Sequence, residues 1–387
     1  MQGMPTTWGS RALREHVPAA DELPVARLRA HGAVIIGKTN CPEFTLDGHT
    51  SNLLFGTTRN PWNTALTPGG SSGGAVAGVA AGLFPLALGT DGGGSTRRPA
   101  SHTGLVGFKP SIGAIARFPT LPQILLDFEV IGPIARTVGD VALLYNATCG
   151  PDPRDRTSLT ARAGLVRSDG AIAPLRILYV PRIDDNALDP EIERSVRDAA
   201  SLLGELGHRV EVGALPFELS AIVEFWPLLG QVGVAHLFER WPQSVTECAP
   251  RFAEMAEAGR RVPGPRYFRG LETIREFRAT VADAFQHFDL LMTPSAAALP
   301  WPADQAYPTR IDGREVGPRG HAVYTGWVNA CGHPAINLPS APSEGGLPIG
   351  FQLVGAYGRD ELLMQVGEQY ERAYPFHRRW PAIAMSV

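Results

Sequence analysis

A chain of 387 residues with 44% hydrophobic and 19% charged residues has enough apolar material for a large core, which excludes an intrinsically disordered protein. The formal net charge of -3 argues against a nucleic-acid or anionic-membrane partner. The 4 cysteines form no CxxC pair, and no run of about 18 apolar residues occurs, so the sequence predicts no zinc site, dense disulfide framework or transmembrane helix.

The predicted elements of the first hundred residues alternate between helix and strand. Residues 21–32 read as a helix that Asp21 caps and Gly32 ends, and residues 33–36 read as a short buried strand. Residues 75–82 are only small residues and valine, which predicts a buried helix that approaches its neighbours closely. Residues 84–88 are apolar on both faces and read as the next strand.

The second half of the chain continues this alternation. A strand over residues 175–180, a helix opened by Asp189 and Pro190, and a strand over residues 208–212 predict a βαβ unit. Residues 215–285 look mostly helical, and residues 289–292 and 347–354 look like further core strands. We therefore predict one α/β domain over residues 1–387, with a twisted mixed β-sheet covered by α-helices on both faces.

Two clusters rich in glycine and serine, residues 69–74 and 92–95, are separated by one predicted helix and one predicted strand. Such a helix leads the chain away from the first cluster and the strand leads it back, which would bring Ser71 and Ser95 together. An amide carbonyl resists attack, so its cleavage needs an activated hydroxyl and hydrogen-bond donors for the oxyanion. Glycines before Ser95 would let successive backbone N–H groups converge on one point.

Several stretches in this order resemble the amidase signature family. The two serines stand 24 positions apart, which is the spacing of that family. The resemblance covers nearly the whole chain. The stretches that carry it are residues 68–74, 89–100 and 104–110, with flanking agreement at residues 37–44, 55–62 and 346–355.

The resemblance implies a Ser-cisSer-Lys triad that hydrolyses a carboxamide through an acyl-enzyme on Ser95. Ser71, preceded by a cis peptide bond, would relay the proton. The oxyanion hole would be formed by the backbone N–H groups of Gly92, Gly93, Gly94 and Ser95. The resemblance implies no cofactor and no metal, a small-molecule amide as substrate, a cytoplasmic location, and no direct nucleic-acid or membrane partner, and it leaves a homodimer open.

The lysine of the triad lies, in this family, just upstream of a Gly-x-Pro-Thr-Thr stretch. Residues 3–7 match that stretch, and Met1 stands two residues before it. We therefore expect this chain to lack the family's N-terminal helices, its first core strand and its catalytic lysine, and to have little or no activity. Lys38 lies in a different motif and Lys109 is expected to be structural, so neither replaces the base.

Arg98, Tyr324 and Trp327 are the candidates for substrate contact. An arginine at the position of Arg98 binds a substrate carboxylate in some family members, and a salt bridge to Asp91 or solvent exposure is the alternative. Tyr324 and Trp327, with Asn329, are candidates by analogy to the family, and ordinary packing is the alternative. Asp91 itself is expected to hold the loop.

Three functions remain open: an amidase, a protein like the amidase-family subunit of a glutamyl-tRNA(Gln)/aspartyl-tRNA(Asn) amidotransferase, and a catalytically dead remnant of the fold. Residues 69–74 lack the Gly-Lys-Ser/Thr ending of a phosphate-binding loop. They match the G-x-S-x-G pattern of an α/β-hydrolase nucleophile elbow, with Ser72 at its centre. Such an elbow directly follows a strand, and residues 63–68 are a poor strand. His102 and His333 are expected to pack in the interior or lie on the surface.

Overall fold

The computed structural model describes residues 1–161 and 164–385. Its α-helices are α1 (Leu23–Ala30), α2 (Gly73–Ala80), α3 (Arg97–Thr103), α4 (Val138–Thr148), α5 (Pro190–Glu205), α6 (Ser220–Arg240), α7 (Ser244–Glu247), α8 (Pro250–Arg260), α9 (Gly264–Ala284), α10 (Gly326–Cys331) and α11 (Asp360–Ala373). Its strands are β1 (Ser51–Asn52), β2 (Gly56–Thr57), β3 (Leu86–Asp91), β4 (Val106–Lys109), β5 (Val130–Ala135), β6 (Arg176–Tyr179), β7 (Arg209–Val212), β8 (Leu290–Pro294), β9 (Arg310–Ile311), β10 (Arg314–Glu315), β11 (Ala335–Pro339) and β12 (Gly350–Gly355).

Eight strands form the central sheet in the order β3-β5-β4-β11-β12-β8-β6-β7. The pairs from β3 to β8 are antiparallel, and the pairs β8-β6 and β6-β7 are parallel. The sheet is therefore mixed, as predicted. The two parallel strands β6 and β7 are joined by α5, which confirms the predicted βαβ unit.

Helices cover both faces of this sheet. Neighbouring side chains of a strand point to opposite faces, and Ile134 and Ala135 on β5 belong to different apolar clusters. Ile134 lies in a cluster with Val76 and Val79 of α2, whereas Ala135 lies in the main core with α4. The predicted fold class is confirmed. Helix α2 is buried, as its run of small side chains predicts.

The start of α5 shows how the local sequence determines this architecture. The carboxylate of Asp189 accepts a hydrogen bond of 2.9 Å from the N–H of Glu191, and Pro190 occupies the first helical position. Both features satisfy or remove N–H groups that a helix start leaves unpaired. The helix then buries one apolar stripe against the sheet, formed by Ile192, Val196, Ala199 and Leu203.

Two sequence-based expectations near the N-terminus are wrong. Residues 33–36 form no strand; Val34 and Ile36 are 87% and 69% exposed, because no described strand lies beside them to complete a hydrogen-bonded ladder. Helix α1 begins after Glu22, and Asp21 does not cap it. The carboxylate of Asp21 instead pairs with Arg29, 2.8 Å away.

Helix α6 is long and apolar enough to cross a membrane by length and composition alone. In its most apolar window, 44% of the residues are buried inside the protein, and the helix packs on α8 and α9. Its inward side chains include Phe225, Leu229 and Leu237. Since the core helix of a globular protein passes the same test, these contacts account for the apolar composition of α6.

Candidate active site

The two glycine- and serine-rich loops meet at the edge of the sheet, where β3 ends. The chain leaves the first loop through α2 and returns through β3. The N–H of Ser72 donates to the carbonyl oxygen of Ser95 at 3.2 Å, and Ser72 Oγ donates to the carbonyl oxygen of Thr90 at 3.3 Å. The Gly70–Ser71 peptide bond is cis. Ser71 and Ser95, which are 2% and 7% exposed, are therefore on adjoining segments, as the motif order predicts.

Glycine is needed at two positions of these loops. A Cβ on Gly70 would lie 2.9 Å from backbone atoms of the segment 47–49. Gly94 has a φ of +111°, which L side chains rarely adopt, and a Cβ there would collide with Thr325 and Arg98. Both loops are thus built for close backbone approach.

Asp91 organises the loop that carries Ser95. Its buried carboxylate accepts hydrogen bonds from the N–H of Gly94 (2.6 Å), from Oγ1 of Thr96 (2.8 Å), from Nε and Nη2 of Arg97 (3.0 and 2.9 Å) and from Nδ2 of Asn329 (3.0 Å). Burial by itself raises the pKa of Asp91, but the Arg97 charge and these hydrogen bonds outweigh burial and hold that pKa far below its ordinary value. Asp91 is therefore an ionised structural anchor, as expected.

The backbone N–H groups of this loop divide into two sets. The N–H of Gly94 is engaged by Asp91, so it is not free to stabilise an oxyanion, and the expectation for Gly94 is corrected accordingly. Within residues 1–161 and 164–385, no group accepts a hydrogen bond from the N–H of Gly92, Gly93 or Ser95. The backbone N–H groups of Gly92, Gly93 and Ser95 are therefore the free donors of this loop.

Tyr324 and Trp327 are buried, and their assignment as substrate contacts stays a prediction. Tyr324 is buried, and its hydroxyl donates to the carbonyl oxygen of Pro181 at 3.0 Å. Trp327 is buried against Phe217, with 5.1 Å between the ring centroids. Asn329 is structural, since its amide bridges the Asp91 loop. The indole N–H of Trp327 has no hydrogen-bond partner among the described residues, whereas the hydroxyl of Tyr324 is engaged by Pro181.

Arg98 lies directly beside the loop of Ser95. It is 4% exposed, and its Nη1 donates to the carbonyl oxygen of Gly93 and to Oγ1 of Thr325. The alternative of a salt bridge to Asp91 is wrong, because Arg97 takes that carboxylate. Burial, with a further contribution from the charge of Arg319, lowers the pKa of Arg98 to about 9.

Two residues that sequence reasoning missed cover the same loop. A Cβ on Gly93 would lie 2.8 Å from the ring of Trp226 and 3.7 Å from Nη2 of Arg319. The guanidinium of Arg319 stacks on Trp226, 5.0 Å from the ring centroid. Neither residue belongs to a recognisable motif, and they come from distant parts of the chain. Only folding brings them to Gly93.

The sequence contains two lysines, and the structure gives each a contact away from the serine pair. Lys38 Nζ donates to the carbonyl oxygen of Pro5 at 3.1 Å and to Oγ1 of Thr6 at 2.5 Å. Lys109 Nζ is buried and donates to the carbonyl oxygen of Pro110 at 2.9 Å, and burial lowers its pKa to about 8. Neither amine forms a hydrogen bond to Ser71 or Ser95 in the described parts of the chain.

The histidines near the loops are buried and neutral. Nε2 of His102 lies 3.2 Å from the carbonyl oxygen of Ala298, and burial lowers the pKa of His102 to about 4. His333 lies further away, with Nδ1 at 3.0 Å from the carbonyl oxygen of Gly355. Across the described residues, no group of three or more His, Cys, Asp or Glu side chains is arranged to hold a metal ion.

A surface depression of about 420 Å³ lies elsewhere on the molecule. Residues that line it include Thr137, Glu368, Glu371 and His377, and none of its lining residues belongs to the two serine loops. The hydroxyl of Thr137 there caps α4 by accepting a hydrogen bond from the N–H of Asp140, so the depression does not combine a free nucleophile with the oxyanion donors that amide cleavage needs. We therefore place the candidate chemistry at Ser71 and Ser95.

Comparisons with known proteins show the family to which the chain belongs. A family model described as Amidase matches residues 1–364. A subunit of the glutamyl-tRNA(Gln) amidotransferase of Synechococcus sp. (strain CC9605) is 35% identical, over 99% of this chain and 82% of that relative. The structure is similar to 6-aminohexanoate cyclic dimer hydrolase complexed with substrate (TM-score 0.89, 31% identity, 99% of this chain and 84% of that one). It is also similar to a bacterial aryl acylamidase of the amidase signature enzymes (TM-score 0.90, 28% identity, 100% and 82%).

Proposed function

Because the chain belongs to the amidase signature family, we propose that it cleaves the C–N bond of a carboxamide through an acyl-enzyme on Ser95. The observation that carries this proposal is the junction of the two loops, where Ser72 N–H binds the carbonyl oxygen of Ser95 and so holds Ser71 beside it. We further propose that residues 1–387 act as one domain, which is supported by a single sheet that draws strands from residues 86–355.

Attack by Ser95 Oγ on the amide carbonyl would form a tetrahedral intermediate, with Ser71 accepting the proton of Ser95 and passing its own proton to the nitrogen of the leaving group. Collapse of the intermediate would expel the amine or ammonia, which takes up a proton, and leave the acyl group on Ser95. Water would then release the acid by the same route in reverse. Each step needs Ser71 next to Ser95, which the observed loop contact supports.

The N–H groups of Gly92, Gly93 and Ser95 would stabilise the oxyanion, because they have no other acceptor in the described structure. Removing one such donor typically costs about 2.7–4 kcal/mol of transition-state stabilisation. Asp91 would contribute without touching the substrate: its bond to the N–H of Gly94 fixes the turn that presents the free donors. Of the four expected donors, this assignment keeps Gly92, Gly93 and Ser95 and leaves out Gly94, whose N–H binds Asp91.

The general base is the weak part of this site. Neither Lys38 nor Lys109 contacts the serine pair, so this chain would acylate Ser95 slowly. An intact oxyanion hole and a positioned hydroxyl still lower the barrier without a base, since triad mutants of serine hydrolases retain about 10³–10⁴-fold catalysis over water. We expect slow, measurable modification of Ser95 rather than rapid turnover.

Labelling with a fluorophosphonate, followed by mass spectrometry of the digested protein, tests this proposal. The probe should modify Ser95, and the label should disappear in Ser95→Ala and fall at least tenfold in Ser71→Ala. Ser201→Ala, an exposed serine on α5, serves as the matched control and should label like the wild type. Label on Ser72 would instead support the elbow alternative, and absence of label at Ser95 would support a catalytically dead remnant.

A second function is favoured by the relatives, which are 33–35% identical and named as subunits of glutamyl-tRNA(Gln) amidotransferases. In that case the amide cleaved would be the side chain of glutamine, and ammonia would pass to a partner protein. Release of ammonia from glutamine, compared with release from simple amides, separates the two functions. A preference of less than twofold for glutamine would count against the amidotransferase.

A further inference from the structure

An apolar wall, formed by Leu125 and Trp226, lies against the loop that would bind the oxyanion. A Cβ on Gly92 would lie 2.7 Å from Cδ1 of Leu125, and a Cβ on Gly93 would lie 2.8 Å from the ring of Trp226. Leu125 is buried in the main core, and Trp226 packs against that core from α6. An acyl group whose carbonyl oxygen binds the N–H groups of Gly92 and Gly93 must therefore pass close to this wall.

An acid beside this wall is paired elsewhere. Cβ and Cγ of Glu129 lie 3.5 Å and 3.6 Å from the position that a Cβ on Gly92 would take. The carboxylate of Glu129 forms an ion pair with Arg117, with Oε1 3.1 Å from Nη1. Glu129 therefore presents hydrocarbon to Gly92, and a group that lies on this wall is favoured by an apolar surface of its own.

The indole of Trp226 presents its edge, rather than a face, to Gly93. The atoms nearest to the position of a Cβ on Gly93 are Cζ2 and Cη2 of Trp226, at 2.8 Å and 3.0 Å, and the next is Nη2 of Arg319 at 3.7 Å. A ring lying face-on would bring more of its own atoms within that distance. The faces of the indole have other neighbours: Phe128 is tilted against it at 5.8 Å between centroids, and the guanidinium of Arg319 lies 5.0 Å from the ring centroid.

The space over Gly93 is therefore bordered by two groups of positive electrostatic potential. The edge of an aromatic ring carries partial positive charge, and the face carries partial negative charge. A second aromatic ring placed over Gly93 can turn its face to the edge of Trp226 and to the guanidinium of Arg319, which gains an edge-to-face contact and a cation–π contact. A saturated acyl group of the same size gains the apolar contact alone.

The apolar surface beside Gly93 continues outward along α6. Val223 stands three positions before Trp226 on this helix, so the two side chains share one helical face. Val223 is 71% exposed, and Trp226 is half-buried. The face of α6 that reaches the nucleophile loop thus offers apolar surface to solvent as well as to Gly93.

We infer that Leu125 and Trp226 form a subsite for the acyl group, and that the preferred substrates are amides of aromatic carboxylic acids. This inference rests on the proposed function, because it takes the free N–H groups of the nucleophile loop as the binding site of the amide oxygen. With that oxygen in place, the aromatic ring of the substrate lies over Gly93 and turns its face to the indole edge. Trp226 determines specificity in this arrangement and takes no part in proton transfer.

Equilibrium binding to the full chain tests this inference without turnover. Isothermal titration would compare benzamide with cyclohexanecarboxamide, which has the same carbon skeleton and the same amide but no aromatic face. Benzamide should bind about fivefold more tightly or better, although the saturated ring is the more hydrophobic of the two. Trp226→Leu should reduce this ratio to below about twofold, whereas Trp226→Phe, which keeps an aromatic edge, should retain about half of it or more. Trp380→Leu is the matched control and should keep the wild-type ratio, because Trp380 also carries a stacked arginine, Arg136, but at the end of the β3–β5 ladder away from Asp91.

The possible failures are distinguishable. Equal affinity of the wild type for the two amides, or a preference for benzamide that survives in Trp226→Leu, would overturn the subsite even if Ser95 is labelled. On a protein whose Ser95 is labelled, benzamide that binds without slowing the labelling would lie elsewhere and would also overturn the subsite. Binding that prefers benzamide and depends on Trp226, without any label on Ser95, would instead refute the proposed hydrolysis and leave the subsite standing.

Discussion

Replacement of Asp91 by asparagine should destabilise the protein more than any exposed charge change, because this substitution leaves Arg97 buried without its counter-ion. The two side chains are fully buried and joined through Nη2 of Arg97 and Oδ1 of Asp91 at 2.9 Å. Removing one partner of a buried ion pair typically costs about 3–5 kcal/mol. Asparagine keeps one acceptor oxygen, but in either orientation its NH₂ group would face donors that bind a carboxylate oxygen in the wild type, so only part of these bonds is recovered.

Urea unfolding followed by tryptophan fluorescence measures this loss as a lower transition midpoint. Asp185→Asn is the matched control, since the pair of Asp185 with Arg314 is largely exposed and should matter little. The double variant Asp91→Leu/Arg97→Met should lose less stability than Asp91→Asn, because both charges leave together. A midpoint for Asp91→Asn equal to that of Asp185→Asn would refute this account of the loop.

Two further predictions concern the same region. Gly94→Ala should lower the midpoint of urea unfolding more than the control Gly207→Ala does. Both glycines have positive φ, but a Cβ on Gly94 would strike Thr325 and Arg98, whereas a Cβ on Gly207 would meet open space. Equal midpoints for the two variants would contradict this reasoning. Burial lowers the pKa of Lys109 to about 8, so as the pH rises Lys109 loses its proton in the folded protein at a lower pH than in the unfolded chain. The stability of the wild type should therefore rise relative to that of Lys109→Met between pH 8 and about 10. Parallel profiles of stability against pH for the two proteins would contradict this.

The elements that the sequence predicts well are those set by neighbours in the chain. Asp189 and Pro190 start α5 through groups two residues away, and the small side chains of α2 determine how closely it packs. Residues 33–36 illustrate the opposite case. Their apolar run suits a strand, but a strand forms only where it can pair with a neighbouring strand. The local sequence does not show whether the fold brings such a neighbour close.

The same distinction holds within the site. The two serine loops were predictable because each motif is contiguous and the elements between them are short. The hydrogen bond from the N–H of Gly94 to Asp91 depends on the backbone dihedral angles of the loop, which the spacing of residues in the sequence does not reveal. Trp226 and Arg319 were unpredictable for a different reason: they reach Gly93 from an α6 position and from a loop before α10.

The two consecutive arginines after the nucleophile differ in the groups that hold them. One carboxylate, Asp91, stands near them, and its bonds to Arg97 and to backbone N–H groups use both of its oxygens. Arg97 is thereby neutralised and Arg98 is not, although both are buried. Arg98 is held instead by the carbonyl oxygen of Gly93 and by Oγ1 of Thr325, so the two arginines fix the same loop through different groups.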